Sequence, residues 1–515
     1  MYPGAHAAEN PDKPAVIMAD GSETLTYGQL EDRSLRLARL LYDAGLRRGD
    51  TLALLAENSP RYHETYWAAR RSGLYITAIN NHLAPPEVLY ILRDCGAKAF
   101  VVSSKFADIA ADVAQEAPEV KVRLAFGGAV PGFHSYEEAI ASTPPEPLED
   151  RRVGGDMQYS SGTTGYPKGI RAPLAERNFD EPGDPLTMVF GPVYGFGTDS
   201  VYLSPAPLYH SAPLRFSAVV IALGGTVVVM PKFDAAEALA AIERHQVTHS
   251  QWVPTMFVRM LKIDPNERTA HDLSSHRIAI HAAAPCPVEV KQAMLDWWGP
   301  IIHEYYAATE GIGITMISPE DWLKKPGSVG RPFGDVRICD PDDEDQPELP
   351  LGQPGLIYFA REELPFSYHN DAEKTRKAQH PHNSGWGTTG DLGYLDDEGF
   401  LYLTDRQAFM IISGGVNIYP QEIENALTMH PKVADVAVIG VPDPEMGESV
   451  KAVVELMPGV EPDPDVEREM IDYLRERIAG FKVPRSIDFV DSLPRTPTGK
   501  LMKRVLKDKY AAVVT

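Results

Sequence analysis

The 515-residue chain has only three cysteines, Cys95, Cys286 and Cys339. They stand far apart in sequence, which excludes a disulfide scaffold and a CxxC metal knuckle and fits a reducing cytoplasm. Basic residues are scarce: 49 Lys and Arg face 72 Asp and Glu, a net charge of −23. A surface that acidic argues against nucleic acid or an anionic membrane as partner, while leaving room for a small basic pocket. No long hydrophobic run is present. The longest apolar stretch, residues 216–230, contains Gly224-Gly225 and falls short of the ~20 residues that span a bilayer. A helix followed by a buried strand is expected there, and no integral membrane segment. The N terminus has no cationic segment followed by an apolar run, so no signal peptide is expected and the expected location is cytoplasmic. The GxSxG, HExxH and GxGxxG signatures are missing. Gly195-Phe196-Gly197 lacks the third glycine, and His380, His382, His245 and His249 lack companion metal ligands.

What is there is an alternation of helix and strand signals. At this length a prior of about 150 residues per domain gives roughly three domains or subdomains. Thr26-Tyr27-Gly28-Gln29 reads as a capping box, followed by Leu30, Leu37, Ala38 and Leu41 on one helical face. Residues 51–55, 99–102 and 225–230 read as buried strands, and 86–95 as a helix ended by Gly96. Asp234 and Glu237 cap a helix carrying Leu239 and Ile242. This pattern predicts an α/β fold with parallel sheets covered on both faces. The acidic run 340–348 reads as a solvated turn between strands. After Asp405-Arg406 the character changes. Pro420 starts a helix, 436–441 and 450–456 read as strands, and 467–479 as an amphipathic helix with Gly480 beyond it. The expected plan is a large body, residues 1–405, of layered, mostly parallel sheets with helices, and a small mobile α+β C-terminal domain, residues 406–515.

Four clusters carry chemistry. Tyr159-Ser-Ser-Gly-Thr-Thr-Gly-Tyr-Pro-Lys-Gly169 gathers glycines, hydroxyls and one lysine. Glycines let backbone N–H groups turn toward an anion, and Lys168 adds charge. The run is a phosphate cradle without Walker A spacing; a ligand-free hairpin is the plain alternative. In Glu304-Tyr-Tyr-Ala-Ala-Thr-Glu-Gly311, Tyr306 offers a flat face to a base, Thr309 a hydroxyl and Glu310 a hard oxygen suited to Mg²⁺. Gly385-Trp-Gly-Thr-Thr-Gly-Asp391 puts an acid at a tight turn, where it could grip ribose hydroxyls. Pro494-Arg-Thr-Pro-Thr-Gly-Lys500 presents one ammonium on a rigid turn.

In this order and spacing the clusters resemble the adenylate-forming superfamily, closest to bacterial acyl-CoA synthetases, from the Leu25-Thr26-Tyr27 segment to Lys500. The resemblance implies ATP, Mg²⁺ and CoA as cofactor and co-substrates and a small carboxylic acid, fatty or aryl, as substrate. It implies that Ser160, Ser161, Gly162, Thr163, Thr164, Gly165 and Lys168 hold the β- and γ-phosphates. Ala283, Ala284, Pro285 and Tyr306 would sandwich adenine. Thr309 would touch the α-phosphate, Glu310 would hold Mg²⁺, and Asp391 and Arg406 would grip the ribose. His210 matches a histidine beside the acyl pocket. Lys500 would bridge carboxylate and phosphate in the first half-reaction, and Gly414 and Gly415, in Ser413-Gly-Gly-Val-Asn417, would line the thiol's tunnel after the lid turns. Two positions depart from the pattern: Ala307 replaces a frequent Gly, and Gln407-Ala408-Phe409 replaces a frequent Lys-Asp pair, which leaves Phe409 or a neighbour as pivot.

Small residues at 282–284 and Ala308 would permit a roomy acid pocket, with Trp252 and Phe257 as candidate lining. Three rivals share these features. One is an enzyme of the same fold with another acceptor, a carrier-protein thiol in trans or a nitrogen nucleophile. Another is a luciferase-like monooxygenase, disfavoured by the Val513-Val514-Thr515 ending. The third is a non-catalytic nucleotide-binding protein, disfavoured by the intact Thr309, Glu310, Asp391, Arg406 and Lys500.

Overall fold

The fold is given by a computed structural model that describes residues 2–160, 167–406, 409–414, 416–444, 446–495 and 501–511. Among the described residues the strands form three sheets. The first centres on Thr51–Leu55, flanked by parallel Tyr75–Ile79 and Ala97–Ser103. Every residue of Thr51–Leu55 and Tyr75–Ile79 is buried, as expected of strands covered on both faces. The helix Tyr27–Asp43 lies near this sheet. Its capping box is formed as expected: Thr26 Oγ1 accepts from Gln29 N, and Gln29 Oε1 accepts from Thr26 N.

The second and largest sheet begins as parallel strands: Thr226–Val229, Val201–Ser204, His249–Trp252, Ile278–His281 and Ile302–Ala307. The apolar stretch 216–230 is the expected helix and strand, Ser211–Ala222 and Thr226–Val229. One face of this sheet packs Tyr202 and Tyr305 against Phe190 and Phe216; the other packs Trp252 against Leu239, Ile242 and Met294.

The sheet departs from the mostly parallel expectation after Ile302–Ala307. A turn with Gly311 in the left-handed region (φ 67°) sends the chain straight back as Ile314–Ile317. From there Ser328–Pro332, Leu401–Arg406 and Asp391–Leu395 continue the sheet antiparallel. The connection 308–313 is too short for the crossover that a parallel return needs, so the chain reverses direction there.

The third sheet belongs to the C-terminal region. Val433–Asp443 and Gly447–Leu456 form a long hairpin, Ser486–Val490 adds in parallel, and Ile411–Ser413 and Val416–Ile418 complete it. The helix expected at 467–479 runs instead over Pro464–Arg475. Asp463 caps it by accepting from Asp465 N, and Pro464 fits the first helical turn. The acidic run 340–348 joins the strands Asp335–Cys339 and Gly355–Ala360 as a largely exposed loop.

Gly330 marks where two backbones meet. Its φ is 97°, and a Cβ there would lie 2.0 Å from the Met316 carbonyl oxygen. Gly330→Ala therefore combines left-handed strain with a backbone clash. It is expected to cost about 2–4 kcal/mol, read as a lowered thermal midpoint; an unchanged midpoint would refute the close approach.

Candidate active site

The first cluster is carried by a hairpin. Gly155–Ser160 and Lys168–Arg171 pair antiparallel, with Ser160 opposite Lys168. Ser161, Gly162, Thr163, Thr164 and Gly165 lie outside the described residues. Lys168 Nζ is 3.0 Å from Asp371 Oδ2, and this carboxylate raises the lysine's pKa. Lys168 is thus a full cation at the base of the loop. Asp371 caps the short helix Ala372–Lys377, and no sequence motif pointed to it.

The second and third clusters meet. Tyr306, on Ile302–Ala307, donates its hydroxyl to Asp391 Oδ2 at 2.8 Å, and Thr389 Oγ1 donates to the same oxygen at 2.8 Å. Asp391 opens its strand directly opposite Arg406 in the antiparallel ladder. The candidate adenine and ribose residues are therefore neighbours in space although 85 positions separate Tyr306 from Asp391. On the far side of Tyr306, the strand Ile278–His281 runs into Ala283, which has φ 76°. A left-handed alanine is uncommon and strained. Ala283 and Ala284 are exposed, so this loop presents its backbone outward.

Thr309 and Glu310 sit in the turn after Ala307, closed by Gly311 N donating to Ala308 O at 3.0 Å. Glu310 Oε1 accepts from Tyr368 Oη at 2.7 Å, and Lys374 Nζ lies 4.2 Å from the Tyr368 ring centroid. The turn has little room: a Cβ on Gly313 would lie 1.8 Å from Phe359. No group of three or more His, Cys, Asp or Glu that could hold a metal occurs among the described residues. One carboxylate still fits Mg²⁺, which commonly takes one or two protein oxygens and completes its shell with phosphate and water. Glu310 would hold it.

His210 N-caps the helix Ser211–Ala222. Its Nε2 is buried with no hydrogen-bond partner among the described residues, and its ring meets Tyr209 edge-on at 4.3 Å. Burial, helped by nearby His82, pushes its pKa down to about 3, so it is neutral at physiological pH. Trp252 and Phe257 do not line an open pocket. Both are fully buried and pack against Trp298. Alternation along His249–Trp252 sends Trp252 into that core. Gln251 goes to the other face, where it accepts from Tyr202 and donates to Tyr305.

Behind the Ala283 loop lies a charge cluster that the motifs did not reveal. Lys291 Nζ is 2.6 Å and His281 Nε2 3.3 Å from Glu304 Oε2, and all three residues are buried. Burial would raise the Glu304 pKa, but Lys291 and His281 hold it down to about 2. Glu304 was visible as the first residue of the second cluster. Its partners come from a strand and a helix elsewhere in the chain, with no local signal.

In the C-terminal region Gly414 has φ 57°, donates its N–H to Met446 O at 2.8 Å, and would put a Cβ 2.4 Å from the Met446 methyl. Lys500, Gly415 and the Gln407-Ala408 pair lie outside the described residues, as do the side chains of Ser160 and Arg406. The C-terminal region rests on the body through Lys262 Nζ, which donates to Val433 O at 2.6 Å. Gln421 N also donates to Asp405 Oδ2 at 3.2 Å.

Comparison with known proteins identifies the family. The AMP-binding enzyme family matches residues 4–368, and the AMP-binding enzyme C-terminal domain matches residues 422–500. The chain is 35% identical over 506 residues to a feruloyl-CoA synthase of Amycolatopsis sp, covering 96% of each chain. Among solved structures it is similar to ATP-bound MatB from Rhodopseudomonas palustris, at 29% identity, TM-score 0.83 and 100% of both chains. It is also similar to the amide bond synthetase McbA from Marinactinospora thermotolerans, at 27% identity, TM-score 0.81 and 99% of each chain. The chain belongs to the AMP-binding enzyme family, the adenylate-forming superfamily, and is an ATP-dependent, AMP-forming ligase.

Two outcomes follow from the Glu304 cluster. Lys291→Met strands a buried carboxylate and is expected to cost about 3–5 kcal/mol. Glu304 has a depressed folded pKa, so its contribution is complete above about pH 4.5 and fades as pH falls toward about 2. The gap in thermal midpoint between wild type and Glu304→Gln should therefore shrink between pH 6 and pH 3. A gap that stays constant would contradict the ion pair.

Proposed function

We propose that the residues brought together here divide the two half-reactions of an ATP-dependent acid–CoA ligase. The enzyme activates a carboxylic acid as acyl-AMP, releasing pyrophosphate, and transfers the acyl group to the thiol of CoA, releasing AMP. The observation that carries the assignment is the Tyr306–Asp391 hydrogen bond beside the Glu310 turn. It brings a flat base platform and a ribose-gripping acid together, beside the turn that carries a hard oxygen.

In the first step the acid's carboxylate attacks the α-phosphorus. Catalysis there is positioning and charge neutralisation. The loop 160–168 cradles the β- and γ-phosphates, Ala283, Ala284, Pro285 and Tyr306 hold adenine, and Asp391 with Arg406 holds the ribose. Thr309 donates to the α-phosphate, and Lys500 spans carboxylate and phosphate. Mg²⁺ at Glu310 supplies neutralisation of triphosphate charge when bound. Neutral His210 stands beside the acyl group as a shape and hydrogen-bonding element rather than a cation. In the second step the C-terminal domain, residues 406–515, turns, withdraws Lys500 and brings Gly414 and Gly415 to the thiol's path.

The substrate reading is a fatty or aryl acid, with aryl acids supported by the similarity to a feruloyl-CoA synthase. A nitrogen acceptor is the second reading, favoured by the similarity to an amide bond synthetase. No helix among the described residues is long and apolar enough to cross a membrane, and the proposed location is cytoplasmic. ATP–pyrophosphate exchange over a panel of acids, followed by product analysis with CoA or amines, tests both readings. Acid-dependent exchange without thioester formation would reject the CoA assignment.

Lys500→Ala is expected to slow acyl-AMP formation by ~10²–10³-fold and to leave thioester formation from supplied acyl-AMP far less changed. Equal loss in both steps would contradict its role. Asp391→Ala should weaken ATP binding and make the enzyme indifferent to 2′- or 3′-deoxy-ATP. A variant still sensitive to both ribose hydroxyls would rule out the contact.

A further inference from the structure

The C-terminal region holds a buried ion pair. Lys503 Nζ is 2.8 Å from Glu424 Oε1, and the two side chains are 6% and 8% exposed. Glu424 Oε1 also accepts from Val438 N at 2.6 Å. A buried ion pair is often no more stabilising than an apolar pair of the same shape, because both charges must leave water. Its place in the fold suggests another use.

Lys503 is the first residue of the helix Lys503–Ala511 and follows Lys500 by three positions. Its ammonium also lies 5.4 Å from the centre of the Phe409 ring, in the segment that joins body and C-terminal region. This is within cation–π range. On the other side of the 496–500 segment, the Arg495 guanidinium makes a two-pronged ion pair with Asp435. The two flanks face each other: Arg495 bridges Leu501, and Met502 N donates to Pro494 O at 2.8 Å. Both anchors end on one strand, Val433–Asp443, through Asp435 and through the Val438 amide.

We infer that the Lys503–Glu424 pair is a positioning unit: it fixes the base of the segment carrying Lys500 to the C-terminal sheet and ties that segment to the joining residue Phe409. The inference rests on the role of Lys500 in adenylation proposed above. A single ammonium thereby links the joining segment, the helix Pro420–Thr428 and the flank of the reactive lysine. An apolar pair could fill the space but would lack directional bonds to fix Lys503 along the strand. A displacement of about 1 Å at a reacting group can cost on the order of 10²-fold in rate.

The test compares Lys503→Met, Lys503→Arg and Lys503→Met/Glu424→Leu with wild type. Thermal midpoint, ATP–pyrophosphate exchange and thioester formation from supplied acyl-AMP are measured for each. Lys503→Met is expected to lower kcat of exchange by roughly 10–10²-fold, with KM for ATP and the thioester step little changed, and Lys503→Arg should restore most of the loss. The double variant removes the stranded carboxylate, so its midpoint should return toward wild type while exchange stays slow. Recovery of exchange together with the midpoint would overturn the inference, leaving the pair a structural one. Lys500→Ala run in parallel separates the two ideas. If it leaves exchange intact, the role of Lys500 is wrong. If it slows exchange while a folded Lys503→Met does not, only the positioning role is wrong.

Discussion

The hydrogen bond from Tyr306 to Asp391 is the constraint on which the proposed nucleotide site depends. It joins the last parallel strand of the large sheet to an antiparallel strand that arrives much later in the chain. Between them runs the turn bearing Thr309 and Glu310, itself closed by Gly311 and held by Tyr368. The residues proposed for base, sugar and cation are thus fixed by one strand, one turn and one cross-sheet contact. In the sheet order Ile314–Ile317, Ser328–Pro332 and Leu401–Arg406 stand between Ile302–Ala307 and Asp391–Leu395, so the Tyr306–Asp391 bond is a side-chain contact and not part of a strand ladder.

Charge is buried where the site needs rigidity. The Lys291–Glu304–His281 cluster sits directly under the strand that carries Tyr306 and near the strained Ala283 loop. Buried charges demand fixed partners, so such a cluster is intolerant of small shifts. A loop held in a left-handed conformation by an alanine persists only when its surroundings over-determine it. The C-terminal region repeats the device with Lys503 and Glu424, on the element that flanks Lys500. Both clusters are interior, and both lie next to a segment with a proposed chemical role.

The two regions touch lightly by comparison. Among the described residues, Lys262 donates to Val433 and Gln421 to Asp405. Met429 adds an apolar contact to the core around Trp252, and Met410 and Tyr419 pack near Cys339 and Tyr358. Such polar bonds and small apolar contacts suit an interface that, in the proposed mechanism, is made and broken in each turnover. The extensive packing is kept inside each region, as the proposed turn of the C-terminal region requires.

The sequence by itself determined the local elements and the chemistry. Apolar periodicity, Thr26 and Asp234 as caps, and Gly96 as a helix stop depend on neighbours along the chain, and they are where the sequence indicated. The four clusters were legible because phosphate, ribose and cation recognition each need particular residue types close together in sequence. Only the tertiary structure decided which residues meet across long separations. Tyr368 on Glu310, Asp371 on Lys168, Lys291 on Glu304 and Lys503 on Glu424 carry no local signature, since each partner is an ordinary polar residue until folding removes the water between them. The same holds for Trp252 and Phe257. Their aromatic character suited a ligand pocket or a core equally, and strand alternation and helix packing settled it in favour of the core.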